Sequence, residues 1–364
     1  MKQLERKLKV GILGGTGMVG QRFITLLDNH PWFEVTAIAA SSRSAGRPYE
    51  ETVAGRWKMA VPVPEAVRGI IVKDVRDVNS VVADVDFVFS AVDMTKEEIR
   101  RIEEEYAKTE TPVVSNNSAH RWTPDVPMVI PEINIDHFDV IRHQMKRLGT
   151  SRGFIAVKPN CSIQGYVPAL AAWKEFEPYE AVVTTYQAIS GAGKTFDDWP
   201  EMIENIIPYI GGEEEKSEQE PLRIFGHIEG GEIVKADDLI ITSQCVRVPV
   251  PEGHTAAVFV KFRRKPAKED LISRLREFRG YPQEAMLPSA PDPFIQYLDD
   301  DDRPQVKKDV CLCGGFGVSV GRLREDTIYD YKFIGLAHNT VRGAAGGAIL
   351  CAEALTAKGY IASK

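Results

Sequence analysis

The chain has 364 residues, enough for two domains that each bury a core of their own. Its formal net charge is −7 and its composition is that of an ordinary globular protein, so neither nucleic acid nor an anionic membrane is an expected partner. No apolar run approaches the length needed to cross a bilayer, and the charged start MKQLERKLKV lacks the apolar core of a signal peptide.

The cysteines are odd in number and have no framework spacing: Cys161, Cys245, Cys311, Cys313 and Cys351. This pattern predicts reduced thiols in a cytoplasmic protein. The histidines never form HExxH, and two cysteines separated by one residue do not suit a zinc knuckle. The sequence therefore predicts no metal site.

An apolar strand at 9–13 runs into a glycine-rich turn and then into a helical pattern. The turn fits GxGxxG, in which glycines let the backbone approach a pyrophosphate at a helix N-terminus. An ordinary tight turn is the alternative interpretation. The residues expected to contact a dinucleotide are Gly15, Thr16, Gly17, Met18, Val19 and Gly20.

The next predicted strand, 34–40, leads into Ser41, Ser42 and Arg43. An NAD site usually has an acidic residue here, which binds the ribose 2′-hydroxyl. Hydroxyls and an arginine suit a 2′-phosphate instead, so the sequence favours NADP over NAD. A solvated loop after the strand is the alternative interpretation.

The alternation of strands and helices continues with strands at 86–92 and 112–115 and helices at 95–108 and 135–148. Repeated strand–helix units indicate a parallel, doubly wound sheet. Thr95 is expected to cap its helix, and Ser90 to face the cofactor crevice from the end of its strand.

A further apolar strand ends just before Cys161, where a helical pattern begins. The free N–H groups at a helix start would stabilise a thiolate there and, later, an oxyanion. Cys161 is therefore a candidate nucleophile, with a small buried side chain as the alternative interpretation.

The chain then becomes β-rich, which predicts a second, α+β domain with strands at 181–189, 239–250 and 255–262 and helices at 194–210 and 267–278. An apolar exposed face of its sheet would be a natural dimer surface. The last helix, 342–358, is expected to pack on the first domain, with Asn339 and Thr340 capping it. The acidic run 299–302 is read as a solvated loop.

Eight motifs occur in order: the glycine turn, SNNSAHR, PEIN, KPNCSIQG, TYQAISGAG, GEEEK, RVPVPEGH and HNTVRGAA. Together they resemble the aspartate-semialdehyde dehydrogenase family over nearly the whole chain, and its archaeal and fungal branch most closely. The resemblance implies a Rossmann-type doubly wound parallel sheet at 1–156, an α+β catalytic and dimerisation domain at 157–338, and a C-terminal helix at 339–364 that returns to the first domain.

The resemblance also implies roles for individual residues. The nucleophile would be Cys161 and the acid/base His254, with Asn160 beside the nucleophile and Gln187 orienting the acyl group. The substrate groups would be held by four residues: Arg247 for the α-carboxylate, Glu213 for the α-amino group, and Lys216 and Arg121 for phosphate. The remaining cofactor contacts would be Ser190, Gly191 and Asn339.

The implied reaction is NADPH-dependent reduction of L-aspartyl 4-phosphate to L-aspartate 4-semialdehyde and phosphate, in lysine, threonine and methionine biosynthesis. It proceeds through a thioester on cysteine, in a homodimer or homotetramer. A malonyl-CoA reductase of the same architecture is an alternative, although malonyl has no amino group for Glu213 to bind. N-acetylglutamyl-phosphate reductase fits the cysteine motif less well, and a non-catalytic NADP-binding regulator would not need the cysteine and histidine.

Overall fold

The computed structural model describes residues 4–364. The strands in this range are β1 (Leu8–Leu13), β2 (Phe33–Ala40), β3 (Lys73–Asp74), β4 (Phe87–Ser90), β5 (Val113–Ser115), β6 (Ile155–Val157), β7 (Pro178–Gln187), β8 (His227–Glu229), β9 (Glu232–Val234), β10 (Ile240–Arg247), β11 (His254–Phe262), β12 (Ile295–Leu298), β13 (Val318–Glu325) and β14 (Tyr331–Ala337). The α-helices are α1 (Met18–Leu27), α2 (Tyr49–Val53), α3 (Glu65–Arg68), α4 (Val78–Val82), α5 (Lys96–Lys108), α6 (Ile141–Leu148), α7 (Val167–Ala172), α8 (Glu213–Ile224), α9 (Lys268–Glu277), α10 (Tyr281–Glu284), α11 (Val306–Asp309) and α12 (Gly346–Ala357).

The first sheet has six parallel strands in the order β3-β2-β1-β4-β5-β6. Its central strands are apolar on both faces because helices cover both sides, as parallel sheets require. Helix α5 packs on one face with Ile102 and Tyr106, whereas α1 and α12 pack on the other with Phe23 and Ile349. This is the predicted doubly wound fold, and the last helix docks on the first domain as expected.

The second sheet is mixed, in the order β10-β7-β11-β14-β13-β12. Strands β10 and β7 run parallel, and β11, β14 and β13 follow in antiparallel pairs. Side chains alternate between buried and half-exposed along β11, because α7 and α9 cover only one face of the sheet. The predicted α+β architecture is confirmed, and one sheet face lacks a covering layer within residues 4–364.

This topology brings the ends of four strands to one edge. Strands β7 and β10 run in the same direction, so their last residues, Gln187 and Arg247, lie side by side. Strand β11 runs the other way and begins at His254, opposite Ala337 at the end of β14. Residues far apart in the chain therefore meet at the end of the second sheet where these strands terminate, and this end faces the connection between β6 and α7.

The helix predicted at 194–210 is wrong. The segment forms turns and one short 3₁₀ turn, Pro200–Met202. Two prolines lie inside it and interrupt a helical hydrogen-bond pattern, and Thr195 and Asp198 bond to each other's backbone instead of continuing a helix. The predicted helix at 135–148 exists, but its first part, Ile135–Val140, is a 3₁₀ helix.

The beginning of the last helix also differs from expectation. A π turn, Val341–Ala345, precedes α12 and contains a non-helical Ala344. Asn339 and Thr340 do not cap it with their side chains. Asn339 instead accepts a hydrogen bond from the Gly253 N–H at 2.7 Å and donates to Ser190 Oγ at 2.8 Å. The amide thus joins two loops of the second domain rather than capping a helix.

Among the described residues, no helix is long and apolar enough to span a membrane. The acidic run 299–302 is exposed and pairs with basic neighbours, including Arg276 and Arg322. Over the same part of the chain, no group of three or more His, Cys, Asp and Glu side chains is arranged to hold a metal ion.

Candidate active site

Cys161 lies where the β6 strand leaves the first sheet and the chain turns toward α7. It precedes a four-residue 3₁₀ turn, Ser162–Gly165, and α7 begins only at Val167, so the predicted α-helix start at Cys161 is wrong. The cause is local, because Tyr166 has φ −135° and breaks the helical path. The first N–H of the turn is also occupied, since Ser162 donates to the Asn160 side-chain oxygen at 2.7 Å.

The thiol of Cys161 faces the imidazole of His254, with Sγ and Nε2 separated by 3.4 Å. On the other side of the ring, the Ala188 N–H donates to Nδ1 at 3.0 Å. Because Nδ1 accepts this bond, we assign the ring hydrogen to Nε2. The neutral ring therefore presents a donor to the sulfur.

Burial sets the protonation of both groups. The pKa of His254 falls to about 3, because burial disfavours the imidazolium and the nearby Arg247 repels it. Burial also raises the pKa of the Cys161 thiol, and the Glu213 carboxylate adds to that rise, while Lys158 and Arg121 oppose it. The fixed cations therefore oppose the effect of burial on the thiol without outweighing it, and stabilisation of a thiolate by the N–H groups of a helical turn stays a prediction.

Glu213 is buried at the start of α8 and collects three side-chain donors. Asn160 donates to it at 3.0 Å, Gln187 at 3.3 Å and Lys216 at 2.7 Å. Burial alone would raise its pKa, but Lys216 and these hydrogen bonds outweigh burial and hold the pKa below its usual value. The Glu213 side chain is an ionised group within the site, not part of a surface charge run.

Arg247 is buried beside the Cys161–His254 pair. Its Nη1 donates to the Ala188 carbonyl at 2.6 Å, and no carboxylate lies within ion-pair distance of it among residues 4–364. Gly191 is packed against this guanidinium, because a Cβ at that position would lie 2.8 Å from Nη1 and 3.1 Å from the His254 ring. Gly191, predicted as a cofactor contact, therefore also makes room for two predicted catalytic and substrate groups.

Arg121 lies behind Asn160 and uses three of its five N–H donors in bonds to the protein, which leaves two for a ligand. Its donors bond to the Lys158 carbonyl at 3.1 Å, Glu220 at 2.9 Å and the Asn116 carbonyl at 3.4 Å. Glu220 in turn accepts the Asn160 N–H at 2.6 Å. In this arrangement Arg121 positions the loop that carries the nucleophile.

Helix α8 directs three polar residues at this site, Glu213, Ser217 and Glu220. Their spacing of four and three residues places them on one face of the helix. Sequence interpretation identified the first and missed the other two. The helical spacing of buried polar residues is the signal that could have found them.

The glycine-rich turn between β1 and α1 has the close approaches that a nucleotide cradle requires. A Cβ on Gly15 would lie 2.5 Å from Ile38, and one on Gly20 would lie 2.3 Å from the Gly14 carbonyl. Gly17 is the N-cap of α1 and faces open space, so its side of the turn admits a ligand. Thr16 and Gly17 line a cavity of about 370 Å³.

The far end of this cavity is basic and hydroxylic. Ser41 and Arg43 line it, as predicted, together with Arg56, which sequence interpretation missed. Two guanidinium groups beside a serine suit a 2′-phosphate, so the residues present fit NADP. Ser42 is exposed at the same loop, and Ser90 is buried at the end of β4, where it accepts a hydrogen bond from Asn117 at 3.1 Å.

A second cavity, of about 270 Å³, continues from Met18 toward the catalytic loops. Ser190 and Glu252 line it on the side of the second domain, and Arg22 on the side of the first. Glu252 is bonded to Arg22, and it also accepts hydrogen bonds from Thr340 at 2.9 Å and His338 at 3.3 Å. Thr16 and Gly17 of the glycine turn line the first cavity, and the next residue, Met18, lines the second. Val19 lies in the first turn of α1 and is half-buried.

The comparisons with known proteins agree with this arrangement. A family model described as the NAD binding domain of semialdehyde dehydrogenase matches residues 9–141, and one described as its dimerisation domain matches residues 170–342. The chain is 43% identical to the aspartate-semialdehyde dehydrogenase of Methanothermobacter thermautotrophicus, over 95% of this chain and 98% of that one. The chain belongs to the aspartate-semialdehyde dehydrogenase family.

Fungal members of this family are similarly close. The aspartate-semialdehyde dehydrogenase of Aspergillus fumigatus is 41% identical, over 98% of this chain and 99% of that one. A crystal structure of aspartate semialdehyde dehydrogenase with NADP from Candida albicans superimposes with a TM-score of 0.87 at 39% identity, and covers 98% of this chain and 100% of that one. The predicted resemblance to the archaeal and fungal branch of the family is confirmed.

Proposed function

We propose that this protein catalyses the NADPH-dependent reduction of L-aspartyl 4-phosphate to L-aspartate 4-semialdehyde and phosphate, the step implied for lysine, threonine and methionine biosynthesis. One observation carries the proposal. A cysteine and a histidine 3.4 Å apart lie between a buried arginine without a carboxylate partner and a buried ionised glutamate. A nucleophile flanked by a fixed cation and a fixed anion suits an acyl group that carries both an α-carboxylate and an α-amino group.

Each end of the substrate has a matching side chain. Arg247 offers a planar pair of N–H donors that can bind a carboxylate in bidentate fashion. Glu213 can accept an ammonium group, with Lys216 and Gln187 fixing its carboxylate. Lys216, half-buried at the same place, and Arg121 are the cations we assign to the phosphate.

The first step forms a thioester. Cys161 Sγ attacks the acyl carbon, a C–S bond forms, the bond from that carbon to the phosphate oxygen breaks, and phosphate leaves. Gln187 orients the acyl group at the edge of the sheet, and Asn160 holds the turn that carries the sulfur through its bond to Ser162. Most side chains around the sulfur are buried, whereas Cys161 itself is partly exposed and can be reached by the substrate.

The second step reduces the thioester. NADPH, when bound, supplies a hydride to the thioester carbon. The His254 Nε2–H would donate a hydrogen bond to the oxygen that becomes negative, and collapse of this alkoxide breaks the C–S bond, which releases the aldehyde and returns sulfur as a thiolate. The imidazole stays neutral throughout, in keeping with the low pKa of His254.

NADPH would occupy these two cavities. The glycine turn with Thr16 would bind the pyrophosphate, and Ser41, Arg43 and Arg56 the 2′-phosphate. Asn339 and Ser190, which bond to each other, lie at the side of the second domain and would contact the nicotinamide end.

We also propose a homodimer built on the uncovered face of the second sheet. This face carries exposed apolar side chains, among them Tyr186 on β7 and Ile240 on β10. A second copy would cover them, in keeping with the dimerisation domain of the family model. The cysteines are all unpaired, which supports a reducing, cytoplasmic environment.

The experiment is phosphate-dependent reduction of NADP by purified protein and L-aspartate semialdehyde, with malonyl-CoA plus NADPH assayed in parallel. Turnover of the semialdehyde that requires phosphate is the expected result. Turnover with malonyl-CoA alone would keep the cysteine chemistry and move the substrate to an acyl-CoA. Absence of both activities in folded protein would overturn the proposal.

A further inference from the structure

Lys158 is a buried lysine immediately before the turn that carries Cys161. It is 2% exposed, and the hydrogen bond found for its ammonium among residues 4–364 is one to the Pro159 carbonyl at 2.7 Å. An ammonium group has three N–H donors, so this one hydrogen bond leaves two of them without a partner among residues 4–364. Sequence interpretation missed Lys158, although a lysine at the end of a buried strand beside a nucleophile was a usable signal.

The last helical segment brings Lys158 and Cys161 onto one surface. A Cβ on Gly343 would lie 2.7 Å from Cys161 Cβ, and a Cβ on Gly347 would lie 2.9 Å from Lys158 Cε. The two glycines lie four residues apart, on either side of the non-helical Ala344. The lysine stem and the cysteine therefore pack against the same short glycine- and alanine-rich segment, 343–347.

The charges around Lys158 leave it without a carboxylate of its own. Arg121 is paired with Glu220, and Arg342 is paired in bidentate fashion with Glu132. No carboxylate oxygen of residues 4–364 lies within ion-pair distance of the Lys158 ammonium. Because the neighbouring charges form ion pairs with each other, the buried Lys158 ammonium would be stabilised by a further anion. The remaining acidic groups near it are thiols.

Two thiols lie close enough to interact with Lys158, those of Cys161 and Cys351. Burial lowers the pKa of Lys158 to about 7, and Cys161 is the group that most opposes this fall. Burial raises the pKa of Cys351 to about 12, so that thiol stays protonated. Burial raises the pKa of Cys161 as well, but Lys158 opposes that rise, so Cys161 is the thiol whose ionised form the lysine can stabilise.

His254 cannot generate this anion by accepting the thiol proton, because its Nδ1 lone pair is occupied and its Nε2 carries the hydrogen. We propose that Lys158 is a positioning residue whose buried ammonium favours the thiolate form of Cys161 over the thiol, against the effect of burial. The Sγ–H proton leaves to water, the electron pair stays on sulfur, and Lys158 and the His254 Nε2–H share the negative charge from two sides. This inference rests on the proposed role of Cys161 as nucleophile.

The test is the pH dependence of Cys161 alkylation by iodoacetamide, followed by intact mass from pH 6 to 10, with Cys161→Ala giving the background from other thiols. In Lys158→Met and Lys158→Gln the midpoint should rise by about one pH unit, so alkylation at pH 7 slows about tenfold. The plateau at high pH should be unchanged, because the thiolate itself remains accessible. A merely structural role would alter the melting temperature or the plateau and leave the midpoint in place.

Two further variants sharpen the outcome. Lys158→Arg keeps the charge and should keep the midpoint, and Lys174→Met removes an exposed lysine at the end of α7 and should leave it at the wild-type value. Lys158→Gln can still donate to Pro159, so it provides a neutral variant should methionine not fold at this position. Folded neutral variants with the wild-type midpoint, or an equal shift in Lys158→Arg, would overturn the inference.

The assay needs no substrate, which separates this inference from the proposed function. A shifted midpoint in a protein that does not turn over L-aspartate semialdehyde would uphold the role of Lys158 and refute the substrate. Turnover of the semialdehyde with an unshifted midpoint would uphold the substrate and refute the role of Lys158.

Discussion

His254 meets Cys161 as a hydrogen-bond donor. Its Nε2 lies 3.4 Å from Sγ, and the Ala188 N–H occupies Nδ1. A ring in this tautomer stabilises a thiolate and can donate a hydrogen bond to an oxyanion, but it does not take a proton from a neutral thiol. The pair therefore differs from a cysteine–histidine pair in which the imidazole acts first as a base.

This orientation predicts that the His254 ring stays neutral, with its hydrogen on Nε2, from pH 8 down to pH 5. Its pKa is lowered to about 3, so protonation begins only well below this range. Long-range ¹⁵N–¹H NMR of the imidazole reports both the tautomer and the charge. The exposed His227 is the comparison within the same spectra. A His254 signal that titrates near pH 6.5, or a hydrogen on Nδ1, would contradict the assignment.

Replacement of the sulfur should abolish chemistry without disturbing the cofactor site. We expect Cys161→Ala to lose turnover by at least about a thousandfold, since no thioester can form, while NADPH binding measured by fluorescence titration is retained. Cys311→Ala removes an exposed thiol and is the matched control, with activity expected at the wild-type level. Substantial residual turnover in Cys161→Ala would refute the nucleophile.

The proposed bidentate contact between Arg247 and the substrate α-carboxylate is tested by Arg247→Lys. A lysine keeps the positive charge but loses the planar pair of donors, so we expect the KM for L-aspartate semialdehyde to rise about tenfold or more. Steady-state kinetics measure this directly. Arg101→Lys, on the exposed face of α5, controls for the substitution itself. An unchanged KM would mean that the carboxylate binds elsewhere.

Coenzyme preference should depend on Arg43. Arg43→Ala is expected to raise the KM for NADPH about tenfold and to leave the KM for NADH nearly unchanged, because only NADPH has the 2′-phosphate. The Arg43→Ala, Arg56→Ala double variant should lower the ratio of the KM for NADH to the KM for NADPH further. Arg68→Ala, an exposed arginine on α3, is the control. Equal losses for both coenzymes would place the 2′-phosphate away from these guanidinium groups.

Glu252 should make stability depend on pH. Burial raises its pKa, but His338, Arg22 and Thr340 outweigh burial and lower the pKa to about 2. Because this lies below the unfolded value of about 4.3, the stabilisation is complete above about pH 5 and is lost as the pH falls toward 2. With allowance for partial solvent exposure, Glu252→Gln should cost about 1–2 kcal/mol of unfolding free energy at pH 7.

Chemical denaturation of wild type and Glu252→Gln at pH 7, 4 and 3 measures this difference, which should shrink at each step. Glu215→Gln, on the exposed side of α8, is the control and should differ little from wild type throughout. A difference that stays constant with pH would show that Glu252 acts through packing rather than charge.

Sequence was sufficient where the signal was local. Thr95 caps α5 in a reciprocal bond with Glu98, and the glycine turn has the close approaches that its motif predicts. The parallel, doubly wound sheet of the first domain follows from buried apolar runs that alternate with helical patterns. Such features depend on residues a few positions apart, which a sequence displays directly.

Sequence failed where distant residues decide the structure. The helix predicted at 194–210 is replaced by turns, because Thr195 and Asp198 bond locally and two prolines follow. The burial of Lys158 depends on Gly347, which is far along the chain. The occupied donors of Arg121 depend on Glu220 in another element. None of these partners is apparent from spacing alone.

The placement of the last helix has a consequence for synthesis of the chain. Helix α12 fills the first domain's core with Leu350 and Leu355, and Gly343 just before it presses against the Cys161 turn. A growing polypeptide therefore carries its nucleophile for some two hundred residues before the segment that seats it emerges from the ribosome. The site around the Cys161 thiol is therefore completed, and the thiol becomes a reactive centre, only when almost all of the protein has been made.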